Sequence, residues 1–175
     1  MFVDESGFLL VPNVVRTWAP RGRTPVVYHL YKHDRVSAIT ALVVPPRRRR
    51  IALYLQFRPL GAGRVGCPTF LVYLFRHIRG PIVLLWDQGS IHRRREVTLF
   101  LRRHLRVQVE EFPSYAPELN PAEFVWTQGD RRLANSAPAD LADLRQMLRR
   151  AYRRIRGSQR LLWSCVLASD LPWAR

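Results

Sequence analysis

The segment Pro81-Ile82-Val83-Leu84-Leu85-Trp86-Asp87-Gln88-Gly89 is the most informative part of the sequence, because an uninterrupted apolar run is followed at once by an acidic residue. A run of this kind is typical of a strand that is buried on both faces of a sheet. In open α/β sheets, ligands bind beyond the carboxyl ends of the strands. The stretch therefore predicts a central strand over residues 82–86 and makes Asp87 a candidate functional residue.

Upstream of this strand, the sequence predicts an antiparallel meander. Runs of apolar and β-branched residues at 1–3, 24–30, 36–44 and 51–57 are bounded by glycine, proline or charged clusters, as strands commonly are. A turn must separate the last two runs, because Pro45 and Pro46 cannot both continue a central strand. Four arginines complete this turn: Arg47, Arg48, Arg49 and Arg50.

Downstream of residue 66, the apolar residues follow the spacing of helices. This periodicity predicts helices over residues 70–78, 97–105, 120–133 and 141–155, with a further strand over 107–112. A meander followed by alternating helices and strands gives an α/β fold, in which parallel strands extend a mixed sheet that helices flank. We predict one domain over residues 1–175, with a core of 1–133 and a C-terminal helical part of 134–175.

The charge balance of the chain points to a polyanionic partner. The 175 residues include 29 Lys and Arg against 13 Asp and Glu, a net charge of +16, and Lys32 is the only lysine. The guanidinium fork of arginine suits phosphate oxygens, so nucleic acid is the expected partner. GC-rich codon usage would favour arginine over lysine, but it does not explain the net excess of positive charge.

The cysteines and the hydropathy pattern predict a soluble protein of the cytoplasm. Cys67 and Cys165 are far apart in the sequence, and neither has a His or Cys nearby at metal-ligand spacing, so we expect two reduced, buried thiols. No apolar run approaches the length of a membrane span, and the N-terminus lacks the features of a signal peptide. These patterns argue against a membrane protein and a disulfide-rich secreted one.

Three acidic residues are candidates for one metal site: Asp4, Asp87 and Glu123. Asp4 ends the predicted first strand, and Glu123 lies in the first turn of a helix for which Asn120 is the predicted N-cap. Two strand ends and a helix start can converge, and converging carboxylates repel one another unless cations neutralise them. Oxygen ligands of this kind favour Mg²⁺.

Each acid also has a structural explanation of its own. Asp4 could cap a turn before Gly7, Asp87 could accept hydrogen bonds within its loop, and Glu123 could favour the helix dipole. The residues taken singly leave these alternatives open.

The segments that carry the acids have a distinctive sequence. They are Asp4-Glu5-Ser6-Gly7-Phe8, Trp86-Asp87-Gln88-Gly89-Ser90-Ile91-His92 and Pro113-Ser114-Tyr115-Ala116-Pro117-Glu118-Leu119-Asn120-Pro121-Ala122-Glu123, with a fourth at Thr17-Trp18-Ala19-Pro20-Arg21-Gly22-Arg23-Thr24-Pro25. Together they resemble the bacterial insertion-sequence branch of the mariner-like DDE transposases, over roughly residues 1–132. The third segment is the most specific. The family usually has Asn after its second aspartate, whereas this chain has Gln88.

The resemblance implies a ribonuclease-H-like fold in which Asp4, Asp87 and Glu123 are the catalytic and metal-binding triad. It implies Mg²⁺-dependent DNA cleavage and strand transfer during transposition of an insertion sequence, with two ions for which Mn²⁺ can substitute. The expected partners are element-end and target DNA, bound by a homodimer in the cytoplasm of a prokaryote, at its nucleoid. Family members also carry an N-terminal helix-turn-helix region. We expect this chain to lack it, and a partner polypeptide to supply it.

Further residues are candidates for contacts around this site. Arg93, Arg94 and Arg95 begin a helix, where positive charge opposes the helix dipole and so indicates an external anion. We predict DNA binding there and at the turn with Arg47, Arg48, Arg49 and Arg50, although a solvated face is the alternative for both. His92 and Asn120 are accessory candidates, and a hydrogen-bonded loop histidine is the preferred interpretation of His92. A basic flank on the last predicted helix could contact DNA or serve solubility: Arg149, Arg150, Arg153, Arg154 and Arg156.

Two other functions remain open at this point. The absent recognition region would also fit an inactive, truncated remnant of a transposase that binds DNA without sequence preference. Less favoured is another ribonuclease-H-like nuclease, such as a junction resolvase, which would prefer branched DNA.

Overall fold

The computed structural model describes residues 1–29, 34–59, 67–90 and 92–172. Within these residues the strands are β1 (Phe2–Leu9), β2 (Arg35–Val43), β3 (Ala52–Pro59), β4 (Ile82–Trp86) and β5 (Val107–Glu111). The helices are α1 (Cys67–His77), α2 (Arg95–Arg102), α3 (Pro121–Leu133), α4 (Leu141–Arg156) and α5 (Gln159–Ala168). A single 3₁₀ turn at Pro117–Leu119 leads into α3. None of the described helices is long and apolar enough to cross a membrane.

The strands form one sheet in the order β3-β2-β1-β4-β5. β1 pairs antiparallel with β2, and β2 pairs antiparallel with β3, while β4 pairs parallel with both β1 and β5. The predicted fold class is confirmed, since an antiparallel meander is extended by parallel strands and flanked by helices. β1 lies at the centre of the sheet and joins its two halves.

The meander differs from its prediction in two of its strands. Residues 24–29 form no strand and most of them are exposed, and Leu30 lies outside the described residues. Pro25 cannot donate a ladder hydrogen bond, which is consistent with this outcome. The first strand instead continues past Asp4 to Leu9, because β2 pairs with it along its whole length and Phe8 and Leu10 bury their side chains on the same face.

The central strand β4 is less buried than its apolar sequence predicts. Ile82, Leu84 and Trp86 are at most 5% exposed, but Val83 is 48% exposed on the opposite face. The helices that cover that face, α3, α4 and α5, pack over β1, β2 and β3, so the face is open where Val83 lies. The prediction of burial on both faces is therefore wrong for Val83.

Two hydrophobic clusters hold the helices against the two faces of the sheet. One contains Phe70, Leu71 and Leu74 of α1 and Val97 of α2, together with apolar residues of β1, β2 and β4. The other contains side chains from α3, α4 and α5 packed on Phe2, Phe8 and Leu53. The C-terminal helices thus share one core with the strands rather than forming a separate layer.

α3 and α4 approach each other closely at Gly129. A Cβ at this position would collide with the hydroxyl and ring of Tyr152 on α4. Glycine inside a helix costs roughly 1 kcal/mol relative to alanine. Here the missing side chain makes room for a buried tyrosine, which explains why a helix-destabilising residue occupies this position.

Candidate active site

The parallel register of β1 and β4 places Asp4 and Asp87 level with each other. Phe2 of β1 is paired with Leu85 of β4, and each aspartate follows its strand residue by two positions. Residues two apart on a strand point to the same face. Both aspartates line one cleft of about 460 Å³ together with Asn120 and Glu123. The three predicted acids are therefore brought together at one place.

Asp4 is the buried acid of the cleft. It lies within β1, opposite Thr40 of β2, rather than at the end of a short strand as the sequence analysis expects. Its side chain is 6% exposed, and Nε1 of Trp126 donates a 2.6 Å hydrogen bond to its Oδ2. Burial, followed by the charge of Glu123, raises the pKa of Asp4 to about 8. A bound cation would remove this penalty on the charged form.

Asp87 is the exposed acid of the cleft, and its loop is folded around it. Its Oδ1 accepts a 2.9 Å hydrogen bond from the backbone N–H of Gly89 and lies 3.1 Å from Nε2 of His92. The contact with His92 holds the pKa of Asp87 below its ordinary value. A Cβ on Gly89 would lie 2.8 Å from the same oxygen, so glycine allows the loop to close on the carboxylate.

Glu123 is positioned by the start of α3. Asn120 is the N-cap, as predicted, and its Oδ1 accepts a 3.1 Å hydrogen bond from the backbone N–H of Ala122. Its Nδ2 donates a 3.4 Å bond to the carbonyl of Val3, the residue before Asp4. One buried amide therefore fastens the helix that carries Glu123 to the strand that carries Asp4. Burial and the charge of Asp87 raise the pKa of Glu123.

The donor set of the cleft fits a divalent cation. All three acids offer carboxylate oxygens, and the pKa values of Asp4 and Glu123 are raised by burial and by neighbouring negative charge. Hard cations with oxygen ligands, Mg²⁺ above all, neutralise such a set. Asp4, Asp87 and Glu123 line the cleft in which such an ion could lie, but their carboxylate oxygens are spread more widely than the 4.8 Å of a compact ligand set.

His92 belongs to a buried cluster that sequence reasoning missed. It is 4% exposed, stacks on Trp86 at 4.2 Å between ring centroids, and lies 3.3 Å from Oε2 of Glu5 as well as against Asp87. Burial alone would lower the pKa of His92, but its contacts with Asp87, Cys67 and Glu5 outweigh burial and raise it to about 11. We infer that His92 is protonated and orients Asp87. This role is more specific than that of the hydrogen-bonded loop histidine that the sequence predicts.

The environment of Cys67 also differs from its prediction. Its Sγ lies 3.8 Å from Nδ1 of His92, although the sequence shows no histidine near it. Ligand atoms of Glu5, Cys67 and His92 all lie within 4.8 Å of one another. The contact joins residues 25 positions apart, so local spacing could not reveal it. Both cysteines are buried and free, as predicted.

Gln88 links the cleft to the first arginine cluster. Its Nε2 donates to the carbonyl of Phe112 at 3.2 Å, and its Oε1 lies 3.2 Å from Arg93 and from Ser114. Arg93 also lies 3.4 Å from the carboxylate of Glu111. Arg94 is the N-cap of α2, where it makes no side-chain cap, and Arg95 is its first residue. All three arginines are exposed beside the cleft.

The second arginine cluster lies away from the cleft. Arg47, Arg48, Arg49 and Arg50 are exposed in the turn between β2 and β3. Pro45 and Pro46, which begin this turn, line a pocket with Pro81 and Ile82 at the amino end of β4, whereas Asp87 follows its carboxyl end. The turn is therefore at the opposite end of the sheet from Asp87, and none of its arginines lines the cleft.

Comparisons with known proteins bear on the fold and the family. A family model described as DDE superfamily endonuclease matches residues 1–145. A search of curated proteins finds no match.

Solved structures of Mos1 transposase share the fold. The paired-end complex with the left transposon end is 15% identical with a TM-score of 0.67, covering 93% of this chain and 49% of that one. The mariner paired-end complex with Mn is 16% identical with a TM-score of 0.69, covering 93% and 50%. The catalytic domain alone is 14% identical with a TM-score of 0.54, covering 97% and 82%. The chain spans about half the length of the first two, and these likenesses confirm the ribonuclease-H-like fold.

Proposed function

The chain belongs to the DDE superfamily endonuclease family, and from that premise we propose that it is the catalytic domain of a DNA transposase. The observation that carries the proposal is the single cleft lined by Asp4, Asp87 and Glu123. We propose these three as the catalytic, metal-binding triad. An inactive remnant would not need to keep all three acids in one cleft, so the remnant alternative is not favoured.

The proposed cofactor is Mg²⁺, as two ions for which Mn²⁺ can substitute. When bound, such ions stabilise the attacking and leaving oxygens of a phosphoryl transfer. Mos1 transposase has been crystallised with Mn and with Mg, which supports divalent metal use by this fold.

The residues around the triad hold the carboxylates in place. Trp126 binds Oδ2 of Asp4 and leaves Oδ1 for a ligand, while Gly89 and His92 bind Oδ1 of Asp87 and leave its Oδ2. Asn120 fixes the position of Glu123 relative to β1. Fixed carboxylates lower the reorganisation that the reaction requires, which is the chief contribution of protein groups to phosphoryl transfer.

The proposed reaction has two steps at one cleft. In the first, a water oxygen attacks a backbone phosphorus and the P–O3′ bond breaks, which leaves a 3′-hydroxyl and a 5′-phosphate. In the second, that 3′-hydroxyl attacks a phosphorus of target DNA, and the bond to the target's own 3′-oxygen breaks. Arg93, Arg94 and Arg95 beside the cleft would bind the DNA phosphates, because their guanidinium groups match phosphate oxygens.

The remaining elements of the proposal concern partners and setting. Mos1 structures contain paired transposon ends and a strand transfer complex, which supports element ends and target DNA as substrates and a dimer as the working assembly. We place the chain in the bacterial insertion-sequence branch, in the cytoplasm of a prokaryote, as one domain with a core of residues 1–133. Recognition of the terminal repeats would require a helix-turn-helix region.

Nicking of supercoiled plasmid tests the proposal directly. The full chain should convert plasmid that carries the element's terminal repeats to the relaxed form in Mg²⁺, and not in EDTA. Asp87→Asn should lower the rate at least about a hundredfold, the upper range for groups that merely orient a metal ligand. Glu110→Gln, which removes an exposed acid from β5, is the matched control and should nick normally. Equal rates for Asp87→Asn and the unmodified chain would overturn the proposal.

A further inference from the structure

A row of arginines on α4 lines a groove at the edge of the sheet. Arg149, Arg153 and Arg156 follow one another at helical spacings of four and three residues, so they share one face. With Leu53, Leu55 and Phe57 of β3 they line a groove of about 290 Å³. The groove is separate from the cleft, because the two share no lining residue.

No carboxylate of the described residues forms an ion pair with the arginine row. Among the described residues, no carboxylate lies within 4.0 Å of the guanidinium group of Arg149, Arg153 or Arg156. Like charges four residues apart destabilise a helix. The helix dipole favours positive charge in the last turn, where Arg153 and Arg156 lie, but not at Arg149. A bound anion would offset the repulsion among these three arginines.

The row is continuous with the basic turn between β2 and β3. The side-chain amide of Gln159, at the start of α5, accepts from the backbone N–H of Ile51 and donates to its carbonyl, both at 2.9 Å. Ile51 directly follows Arg50, and Gln159 lies three residues after Arg156. These bonds hold the turn against the end of α4. We call the combined surface the arginine edge: Arg47, Arg48, Arg49, Arg50, Arg149, Arg153 and Arg156.

The dimensions of the row match a nucleic-acid backbone. The seven helical steps from Arg149 to Arg156 span about 10 Å. One DNA strand carries a charge for about every 3.4 Å of helix axis, so the row covers about three phosphates. A fixed row on one rigid helix suits a partner whose charges repeat at a fixed interval, which favours DNA over an acidic peptide.

The arginine edge lies to one side of the cleft, at the outer edge of the sheet. α4 packs on β2 and β3, and β3 is the outermost strand, with β2 and β1 between it and β4. Asp4 on β1 is two strand spacings from β3, about 10 Å, and α3, which packs on β1 and β2, lies between α4 and Asp87. We infer that the arginine edge binds the phosphate backbone of a duplex DNA segment distinct from the strand in the cleft. This inference goes beyond the proposed cleavage activity and does not require it.

Paired substitutions on α4 test the inference. Arg149→Gln with Arg153→Gln removes two charges from the groove. Arg150→Gln with Arg154→Gln removes two exposed charges at the same spacing on the same helix, outside the groove. Affinity for a short labelled duplex is measured by fluorescence anisotropy, in EDTA, over a range of salt concentrations. The Arg149→Gln/Arg153→Gln variant, the groove pair, should bind about tenfold more weakly at physiological salt, and its log affinity should fall with log salt concentration with a slope shallower by about 1.8. The affinity of the Arg150→Gln/Arg154→Gln variant, the control pair, should change less than about twofold.

The outcomes separate the alternatives. Equal losses in both pairs would mean a general effect of charge, and unchanged binding in the groove pair would mean that the edge serves another partner, such as an acidic protein. Either result overturns the inference. Arg149→Lys with Arg153→Lys keeps the charge and should retain most of the affinity. Thermal unfolding should show equal stability for all variants, because these side chains are exposed.

A nicking assay distinguishes this inference from the proposed function. The anisotropy assay in EDTA measures DNA binding without cleavage. Its result therefore does not depend on whether the chain can cut DNA. If the chain does nick plasmid, the groove pair should nick at the normal rate at saturating DNA. Loss of nicking under those conditions would place the arginine edge on the path of the cleaved strand, and the claim of a distinct segment would be wrong.

Discussion

The indole Nε1 of Trp126 donates a 2.6 Å hydrogen bond to Oδ2 of Asp4, which joins the helix of one acid to the strand of another. Trp126 lies three residues after Glu123 on α3, so the two side chains are neighbours on the helix surface. The helix therefore both contributes an acid to the cleft and fixes the orientation of the buried one.

Asp4→Asn should stabilise the metal-free chain at pH 8. The pKa of Asp4 is raised from 3.8 to about 8, so between these values the folded state holds a proton that the unfolded state has lost. The free energy of unfolding therefore falls as the pH rises from about 4 to 8. Asparagine does not ionise, so this fall in the free energy of unfolding disappears. The Tm of the variant in EDTA at pH 8 should exceed that of the unmodified chain by about 4 °C or more. The gain should vanish at pH 4, and an equal gain at both pH values would contradict the argument.

His92→Gln should lower both stability and nicking. The pKa of His92 is raised from 6.5 to about 11, so its contribution to stability is complete below pH 6.5 and is lost as the pH rises toward 11. We expect a loss of about 2 kcal/mol at pH 6, discounted because its partner Asp87 is exposed. Nicking should fall about 10- to 100-fold because Asp87 loses an orienting contact. His77→Gln, at an exposed histidine, is the control for both measurements.

Asn120→Ala should show whether Asn120 supports the cleft as well as capping α3. Loss of an N-cap costs about 1 kcal/mol, so the Tm should fall by about 2–4 °C. Nicking should fall as well, because the bond to the carbonyl of Val3 is also lost. Ser158→Ala removes the N-cap of α5 and should lower the Tm similarly without affecting nicking. Equal nicking by the two variants would show that Asn120 is only a cap.

Gly129→Ala should destabilise the chain even though alanine favours helices. The new Cβ would collide with Tyr152, and overpacking of this kind costs about 1–3 kcal/mol. Gly157→Ala is the matched control, because Gly157 has φ −76° and its Cβ would approach two backbone oxygens, at 3.4 and 3.8 Å. Urea denaturation of the two variants measures the difference. A Gly129→Ala variant as stable as the unmodified chain would show that Tyr152 moves freely.

Much of the fold and the positions of Asp87 and Glu123 could be predicted because their signals are local. The apolar run before Asp87 and the Asn120–Pro121 helix start each lie within a few residues. The extent of β1 and the exposure of Val83 could not be predicted from the sequence, because both depend on which strands and helices lie alongside. The cluster of Glu5, Cys67 and His92 joins distant segments and left no local pattern. α5 did leave a local pattern, since Ser158 precedes an apolar helical run, although no helix is predicted there.

The central place of β1 has a consequence for biosynthesis. Its parallel partner begins at Ile82, about 80 residues later, whereas β2 and β3 adjoin each other through a short turn. Contacts between distant residues form slowly, since a long loop must close first. On the ribosome, the hairpin of β2 and β3 can form early, but β4 cannot join β1 until residue 86 has emerged. Asp4 and Asp87 therefore cannot meet until β4 has been made, and the cleft is complete only after the start of α3 has followed with Glu123.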